Sequence, residues 1–360
     1  MKNTFSSILL TSTIALTFCN CDYNEDLLGN WKNICDADAK GHSGAVCFVI
    51  DGKAYMVGGM GFRTQEEYYL DTWQFNPDGP AWEKCDDVPA EKGRAYGLGF
   101  SIGKKGYFGT GIGKEGIFYK DFYEFDPYQE AGSQWVATDS FPGDAIGGGL
   151  GFTINGIGYG GCGVTKYSGT SNTLYEYHQE NADGEKWSKV KNIALTKRAY
   201  GSVFIIDDRA YIIGGTSNNS YIRTFERFDP SVETGELRLY KISSDFRYDY
   251  RKDQLDRLYR ERAVAFAING RGYLIGGSGA SGVGAKSDVW EYIPYGGRDN
   301  LGHWAEVTSF EGPIRYGACG FAQNGAGYVF CGQNGSSLSS YYSDVWQYCP
   351  QEDYEERQDR

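Results

Sequence analysis

Tyr55-Met56-Val57-Gly58-Gly59 decides the fold, because it returns five more times along the chain. The frame is a tyrosine that closes four residues later on a glycine. It recurs as Tyr107-Phe108-Gly109-Thr110-Gly111, Tyr159-Gly160-Gly161-Cys162-Gly163, Tyr211-Ile212-Ile213-Gly214-Gly215, Tyr273-Leu274-Ile275-Gly276-Gly277 and Tyr328-Val329-Phe330-Cys331-Gly332. The closing glycines are 52, 52, 52, 62 and 55 residues apart. Seven residues before each tyrosine stands a phenylalanine: Phe48, Phe100, Phe152, Phe204, Phe266 and Phe321. Three residues before each of these is a small residue: Ala45, Gly97, Gly149, Gly201, Ala263 or Ala318. Self-similarity at a fixed period marks a repeat architecture.

Two further segments complete the unit. One reads Asp71-Thr72-Trp73-Gln74-Phe75, Asp121-Phe122-Tyr123-Glu124-Phe125, Thr173-Leu174-Tyr175-Glu176-Tyr177, Asp288-Val289-Trp290-Glu291-Tyr292 and Asp344-Val345-Trp346-Gln347-Tyr348; the other carries Trp82, Trp135, Trp187 and Trp304. The fourth repeat deviates, with Phe225-Glu226-Arg227-Phe228 and with Tyr240 at the tryptophan position. Each unit therefore reads as four short strands. The Gly- and Ala-rich first strand suits a position near an axis where backbones approach closely. The recurring aromatics fill the widening space between sheets, and the closing glycine permits a positive φ. One such sheet cannot bury both faces alone, whereas units stacked around an axis can. The expected fold is all-β, a six-bladed β-propeller. The sixth repeat ends without a tryptophan strand, and Asn30-Trp31 with Cys35 reads like the missing one. The N-terminal strand is thus expected to complete the last blade and leave no bare edge. The blades fall near 41–90, 92–143, 144–195, 196–257, 258–312, and 313–350 plus 30–36 within a propeller of 30–350; 22–29 is a tether and 351–360 a charged tail.

The composition agrees. Glycine numbers 51 in 360 residues, about twice the usual ~7%. Aromatic residues are 16% and proline only 9 residues, a mixture that favours many short strands and tight turns. A net charge of −12 argues against nucleic acid as a partner, since that needs a basic surface. With three histidines, a His-based metal or triad site is not expected, and no cofactor is read from the sequence. Residues 8–18 are apolar but too few to span a bilayer as a helix. They have the shape of a secretory h-region. The run ends in Phe18-Cys19-Asn20-Cys21-Asp22, which resembles a bacterial lipoprotein signal. Residues 1–21 are read as that signal, with Cys21, rather than Cys19, as the lipid anchor, because Asn20 is smaller than Phe18 just before it. Export to the cell envelope, membrane attachment through the lipid alone and a monomeric state follow as expectations. The seven later cysteines have irregular spacing without C-x-x-C and read as small core residues rather than a disulfide framework or zinc site.

The tyrosine–glycine frame, the Asp-x-Trp-x-Tyr segment and the fourth-strand tryptophan together resemble kelch repeats over about residues 30–350. Thirteen residues before each frame tyrosine stand His42, Arg94, Ile146, Arg198, Arg260 and Arg315. In a closed propeller these equivalent positions form a ring at one mouth of the channel. Arginine offers planar paired donors to carboxylate or phosphate. Tyr96 and Tyr200, two residues after Arg94 and Arg198, add stacking surface. His42, Arg94, Arg198, Arg260, Arg315, Tyr96 and Tyr200 are accordingly the candidate ligand residues. The competing reading is structural: an arginine at this place is common in kelch repeats and pairs with backbone or a nearby Asp. The loops at 61–69, 113–120, 164–172, 216–222, 278–286 and 333–343 are expected around the same mouth, and the charged insertion at 243–261 reads either as a lid or as solvated decoration.

Two function classes follow. The first is a non-catalytic envelope binding protein that presents this mouth to an anionic glycan, another carbohydrate or an acidic protein segment. The alternative is an enzyme. The resemblance brings in sialic-acid mutarotases, so a mutarotase or epimerase acting on an acidic sugar would use Arg to hold the carboxylate and a Glu or Arg for proton transfer. Glu115 and Glu261 are the candidates. Copper chemistry of the galactose-oxidase kind needs two histidines and a Tyr–Cys crosslink, which three scattered histidines do not favour. G-x-G-x-x-G at 111–116 and 277–282 lacks a following helix and does not read as a dinucleotide site.

Overall fold

The computed structural model describes residues 28–36, 41–62, 66–167, 169–235, 238–241, 257–279, 284–295, 302–337 and 340–353. Cys19, Cys21 and most of the 243–261 insertion lie outside these residues. Six four-stranded antiparallel sheets form among the described residues. Sheet one is Val46–Ile50, Lys53–Val57, Thr72–Asn76 and Ala81–Lys84. Sheet two is Leu98–Ile102, Lys105–Gly109, Phe122–Phe125 and Trp135–Thr138. Sheet three is Leu150–Ile154, Ile157–Gly161, Leu174–Tyr177 and Trp187–Lys189. Sheet four is Ser202–Ile206, Arg209–Ile213, Phe225–Phe228 and Leu239–Lys241. Sheet five is Val264–Ile268, Arg271–Ile275, Val289–Ile293 and His303–Val307. Sheet six takes Cys319–Gln323, Ala326–Phe330 and Asp344–Asp353, and its outer strand is Leu28–Asp36 from the other end of the chain.

The constant offset of seven between phenylalanine and tyrosine is a hairpin register. Five strand residues and a two-residue turn place Phe48 opposite Tyr55, Phe100 opposite Tyr107 and Phe204 opposite Tyr211. The turns have the sequence that this demands. Asp51-Gly52 and Asn155-Gly156 hold positive φ at both central residues, the geometry that matches strand twist. The paired rings then meet the neighbouring sheet: Phe48 and Tyr55 lie 6.3 and 5.2 Å from Phe125 of sheet two, and Phe75 lies 6.2 Å from Phe321 of sheet six.

Near the axis the first strands pack on one another in sequence order, and Cys319–Gln323 packs back against Val46–Ile50. Approach is close enough that a Cβ on Gly151 would stand 2.5 Å from the Gly99 carbonyl oxygen. This all-β arrangement of twisted sheets about a channel is a β-propeller. Its channel, about 200 Å³, is lined by the small residues that begin the first strands.

Candidate functional site

Residues leading into each first strand bridge to the residue after each frame glycine: Ser43 to Met60, Ala95 to Ile112, Ala199 to Thr216 and Tyr316 to Gln333. Ile146–Gly147 pairs with Val164–Thr165, and Arg260–Glu261 with Ser278–Gly279. The loops after the second strands therefore surround the same mouth as the lead-in segments.

The arginines at that mouth are turned inward. Arg94, Arg198, Arg260 and Arg315 are at most 1% exposed. Each donates to the carbonyl sixteen residues ahead, at 2.8 Å for Arg198 to Gly214, and at 2.9 Å for Arg260 to Gly276 and Arg315 to Cys331. Each also grips a carboxylate on, or one residue before, the third strand of its own sheet. Arg94 binds Asp121 at 2.9 Å, Arg260 binds Asp288 at 2.8 Å, and Arg315 binds both oxygens of Asp344 at 2.6 and 2.7 Å. The residue two positions after the aspartate completes the clamp: Trp73, Tyr123, Trp290 and Trp346 each donate to it. This is the physical content of Asp-x-Trp. In sheet four Thr224 stands at the aspartate position and accepts from Arg198 at 2.8 Å, while Glu226, two residues on, supplies the carboxylate. Sheet three has Ile146 for Arg and Thr173 for Asp. His42 is the sheet-one counterpart, with Nδ1 donating to Gly58 at 2.7 Å and Nε2 3.5 Å from Asp71. The structural reading is the one these contacts support for His42 and the four arginines, since their polar groups face protein.

These clamps set an acid response. Burial alone would raise the Asp121 and Asp288 carboxyls, but the Arg94 and Arg260 guanidinia outweigh it and hold both below the usual carboxylate range. His42 and Trp73 do the same for Asp71. A depressed folded pKa contributes stability that is complete above the unfolded value, ~3.9, and is lost as pH falls through the folded value. The urea midpoint is expected to hold from pH 7 to about 5 and to drop steadily below about 4. A midpoint unchanged at pH 3 would contradict the clamp.

Two residues further along, a second ring faces the axis. Gly44, Tyr96, Gly148, Tyr200, Arg262 and Gly317 all have φ between 55° and 64°. Their backbones form one cycle of hydrogen bonds of 2.6–2.9 Å, Tyr96 donating to Gly44, Gly148 to Tyr96, Tyr200 to Gly148, Arg262 to Tyr200, Gly317 to Arg262 and Gly44 to Gly317. The left-handed region is costly for any residue with a side chain, about 1–3 kcal/mol. Such a conformation kept at Tyr96, Tyr200 and Arg262 marks a place where the side chains are wanted. The glycines make room, since a Cβ on Gly148 would sit 2.5 Å from the Tyr200 ring.

The structure thus brings Tyr96 and Tyr200 together at the axis, rings 5.2 Å apart and edge to face. It adds two residues that the sequence reading did not single out, Arg262 and Tyr316. The Arg262 guanidinium lies 4.3 Å from the Tyr200 ring centre, 5.3 Å from Tyr96 and 5.9 Å from Tyr316. Glu261 stands 3.1 Å away, and Nε has no partner among the described residues. Burial works against the charge, yet Tyr96 and Glu261 outweigh it and hold the Arg262 pKa above its ordinary value. The mouth therefore carries a permanent, half-buried cation in a cage of phenols. Planar paired donors flanked by aromatic faces suit a carboxylate or phosphate carried on a polar ring or chain. Of the two candidate glutamates, Glu261 belongs to this cage and accepts from Thr216 at 2.9 Å, while Glu115 lies on another loop of the mouth face. No group of three or more His, Cys, Asp or Glu that would hold a metal occurs among the described residues.

Among protein families, the Kelch motif matches residues 197–234. That span covers the lead-in, first three strands and following turn of sheet four. No curated protein matches the chain. The motif and the antiparallel sheets fit a kelch-repeat fold, a scaffold that generally serves to bind proteins or other ligands.

Proposed function

We propose that the chain is an exported, lipid-anchored binding protein: a closed six-bladed kelch propeller, monomeric and tethered at Cys21, whose mouth takes an anionic glycan or an acidic protein segment. The observation that carries the reading is Arg262, a cation held on the axis by three tyrosines with the Glu261 carboxylate beside it. The backbone cycle around the axis supports one ring of six, and the apolar run ending at Phe18-Cys19-Asn20-Cys21 supports export and lipidation. On this reading the buried arginines build the mouth, while Arg262, Tyr96, Tyr200 and Tyr316 meet the ligand.

Calorimetry with N-acetylneuraminate, galacturonate and an Asp/Glu-rich peptide tests it. At least one acidic probe is expected to bind, and Arg262→Gln to weaken it by ~10-fold or more, since hydrogen bonds to charged groups contribute about 1.5–3 kcal/mol. Equal binding by wild type and Arg262→Gln, or no binding of any acidic probe, would sink the reading. Accelerated anomerisation of N-acetylneuraminate in NMR exchange spectra would replace it with the mutarotase alternative.

A further inference from the structure

A groove of about 450 Å³ opens between the mouth loops of sheets one and two, and none of the axial residues lines it. Glu67, Tyr68, Lys92, Lys114, Glu115 and Tyr119 are among its walls. Two observations set it apart from an ordinary crevice between loops.

The first is backbone strain at Glu115. Sixteen described residues other than glycine have positive φ. Nine are Asn or Asp, the residue types that tolerate it best. Thr110, Cys162 and Cys331 share the position before the frame's closing glycine, and Tyr96, Tyr200 and Arg262 form the axial ring. Glu115, at φ 61° and ψ 21°, belongs to none of these groups. It stands in the turn that the Gly113 N–H closes on the Ile117 carbonyl at 2.8 Å, the hairpin position where sheet four has Asn218 and Asn219; here a glutamate takes the left-handed place instead, and it keeps an exposed carboxylate at the groove wall. The second is Tyr119. Its ring lies 4.2 Å from the Arg94 guanidinium, while its buried hydroxyl has no hydrogen-bond partner among the described residues. A buried polar group without a partner is a cost that a ligand hydroxyl can remove.

The chemistry of the walls selects the ligand. Lys92 and Lys114 balance Glu67 and Glu115, so an ion of either sign would meet as much repulsion as attraction. A neutral molecule rich in hydroxyls can accept from the ammonium groups and donate to the carboxylates at once. Tyrosine adds faces that suit the C–H side of a pyranose and a polar tip for its hydroxyls. The volume lies within the ~300–1,000 Å³ of small-molecule sites. We infer that this groove is a saccharide site for one or two neutral pyranose rings, separate from the axial anion site. It does not depend on the axial reading, because the two share no side chain.

Saturation-transfer NMR on the purified protein with lactose, cellobiose, maltose and N,N′-diacetylchitobiose tests it. At least one disaccharide is expected to receive saturation at its ring protons. Tyr119→Phe and Glu115→Gln should each weaken that binding ~10-fold or more without lowering the melting temperature, whereas Arg262→Gln should leave it intact. Glu115→Gly should weaken binding while raising the melting temperature, because it relieves the left-handed glutamate. Absence of saturation with all four sugars, or saturation that survives both Tyr119→Phe and Glu115→Gln, would overturn the inference. A loss confined to Arg262→Gln would also overturn it, by assigning the sugar to the axis.

Discussion

Arg198→Met is expected to destabilise the protein by about 3–5 kcal/mol, the scale at which one partner of a buried ion pair is removed. Arg198 and Glu226 are both 0% exposed. The guanidinium also holds the Gly214 carbonyl and Thr224, and Glu226 accepts the backbone N–H and hydroxyl of Thr196. Methionine fills much of the volume but takes the Arg198 cation away from a buried carboxylate. The second replacement therefore separates charge from packing. Glu226→Gln keeps an acceptor for Thr196 and removes the charge, so Arg198→Met/Glu226→Gln is expected to recover a substantial part of the loss. Urea unfolding of both single variants and the double gives the coupling by a mutant cycle. If Arg198→Met moved stability by less than about 1 kcal/mol, the guanidinium would not be clamping the sheet.

Much of that clamp was already legible in the sequence, in a coupling between two repeated positions. The unit with Ile146 in place of arginine is also the unit with Thr173 in place of aspartate. The unit with Thr224 at the aspartate position places a glutamate two residues further on. Read singly, the arginines look like a ring of free cations. Read with their acids, they are pairs. The same holds for the hairpins: a fixed Phe–Tyr offset can be a cross-strand pair only if the turn has two residues, and Asp-Gly or Asn-Gly supplies it in four of the six units.

What the sequence leaves dark is what occurs once. Tyr96 and Tyr200 announce the axial ring because they repeat, whereas Arg262 appears in that frame a single time, and its cage draws tyrosines from three different sheets. Repetition exposes scaffold; the residues proposed to meet a ligand sit in the departures from it, which carry no period. Glu115 is the sharpest example. Its residue type makes it a candidate for proton transfer beside Glu261, but only the structure places it in a left-handed turn at the groove wall, away from the axis.

Deleting residues 30–36 is expected to have the largest effect of all. Leu28–Asp36 runs antiparallel to Asp344–Asp353, with Asn30 opposite Cys349 and Trp31 opposite Tyr348. Trp31 is 3% exposed, its ring 4.8 Å from Phe310 and 4.7 Å from Tyr348. Its indole N–H donates to Thr308 of sheet five at 3.4 Å, and Lys32 meets Glu352 at 2.7 Å. The strand therefore joins the first described residues to the last sheet and to the sheet before it. Its loss would bare a long hydrogen-bonding edge beside Phe310, Trp346 and Tyr348, an invitation to aggregate. Trp31→Ala alone should cost about 3–5 kcal/mol. Against a total stability of ~5–15 kcal/mol, the deletion should lower the melting temperature by at least about 10 °C or abolish the cooperative melt. An unchanged melt would show that sheet six is complete without this strand. A peptide of residues 28–36 added to the deleted protein distinguishes edge pairing from a general defect. An extended peptide can occupy a bare sheet edge in the native register, so the peptide should restore the transition in a concentration-dependent way. The same peptide carrying Trp31→Ala should not, because the edge would be paired while the Phe310–Tyr348 pocket stayed empty.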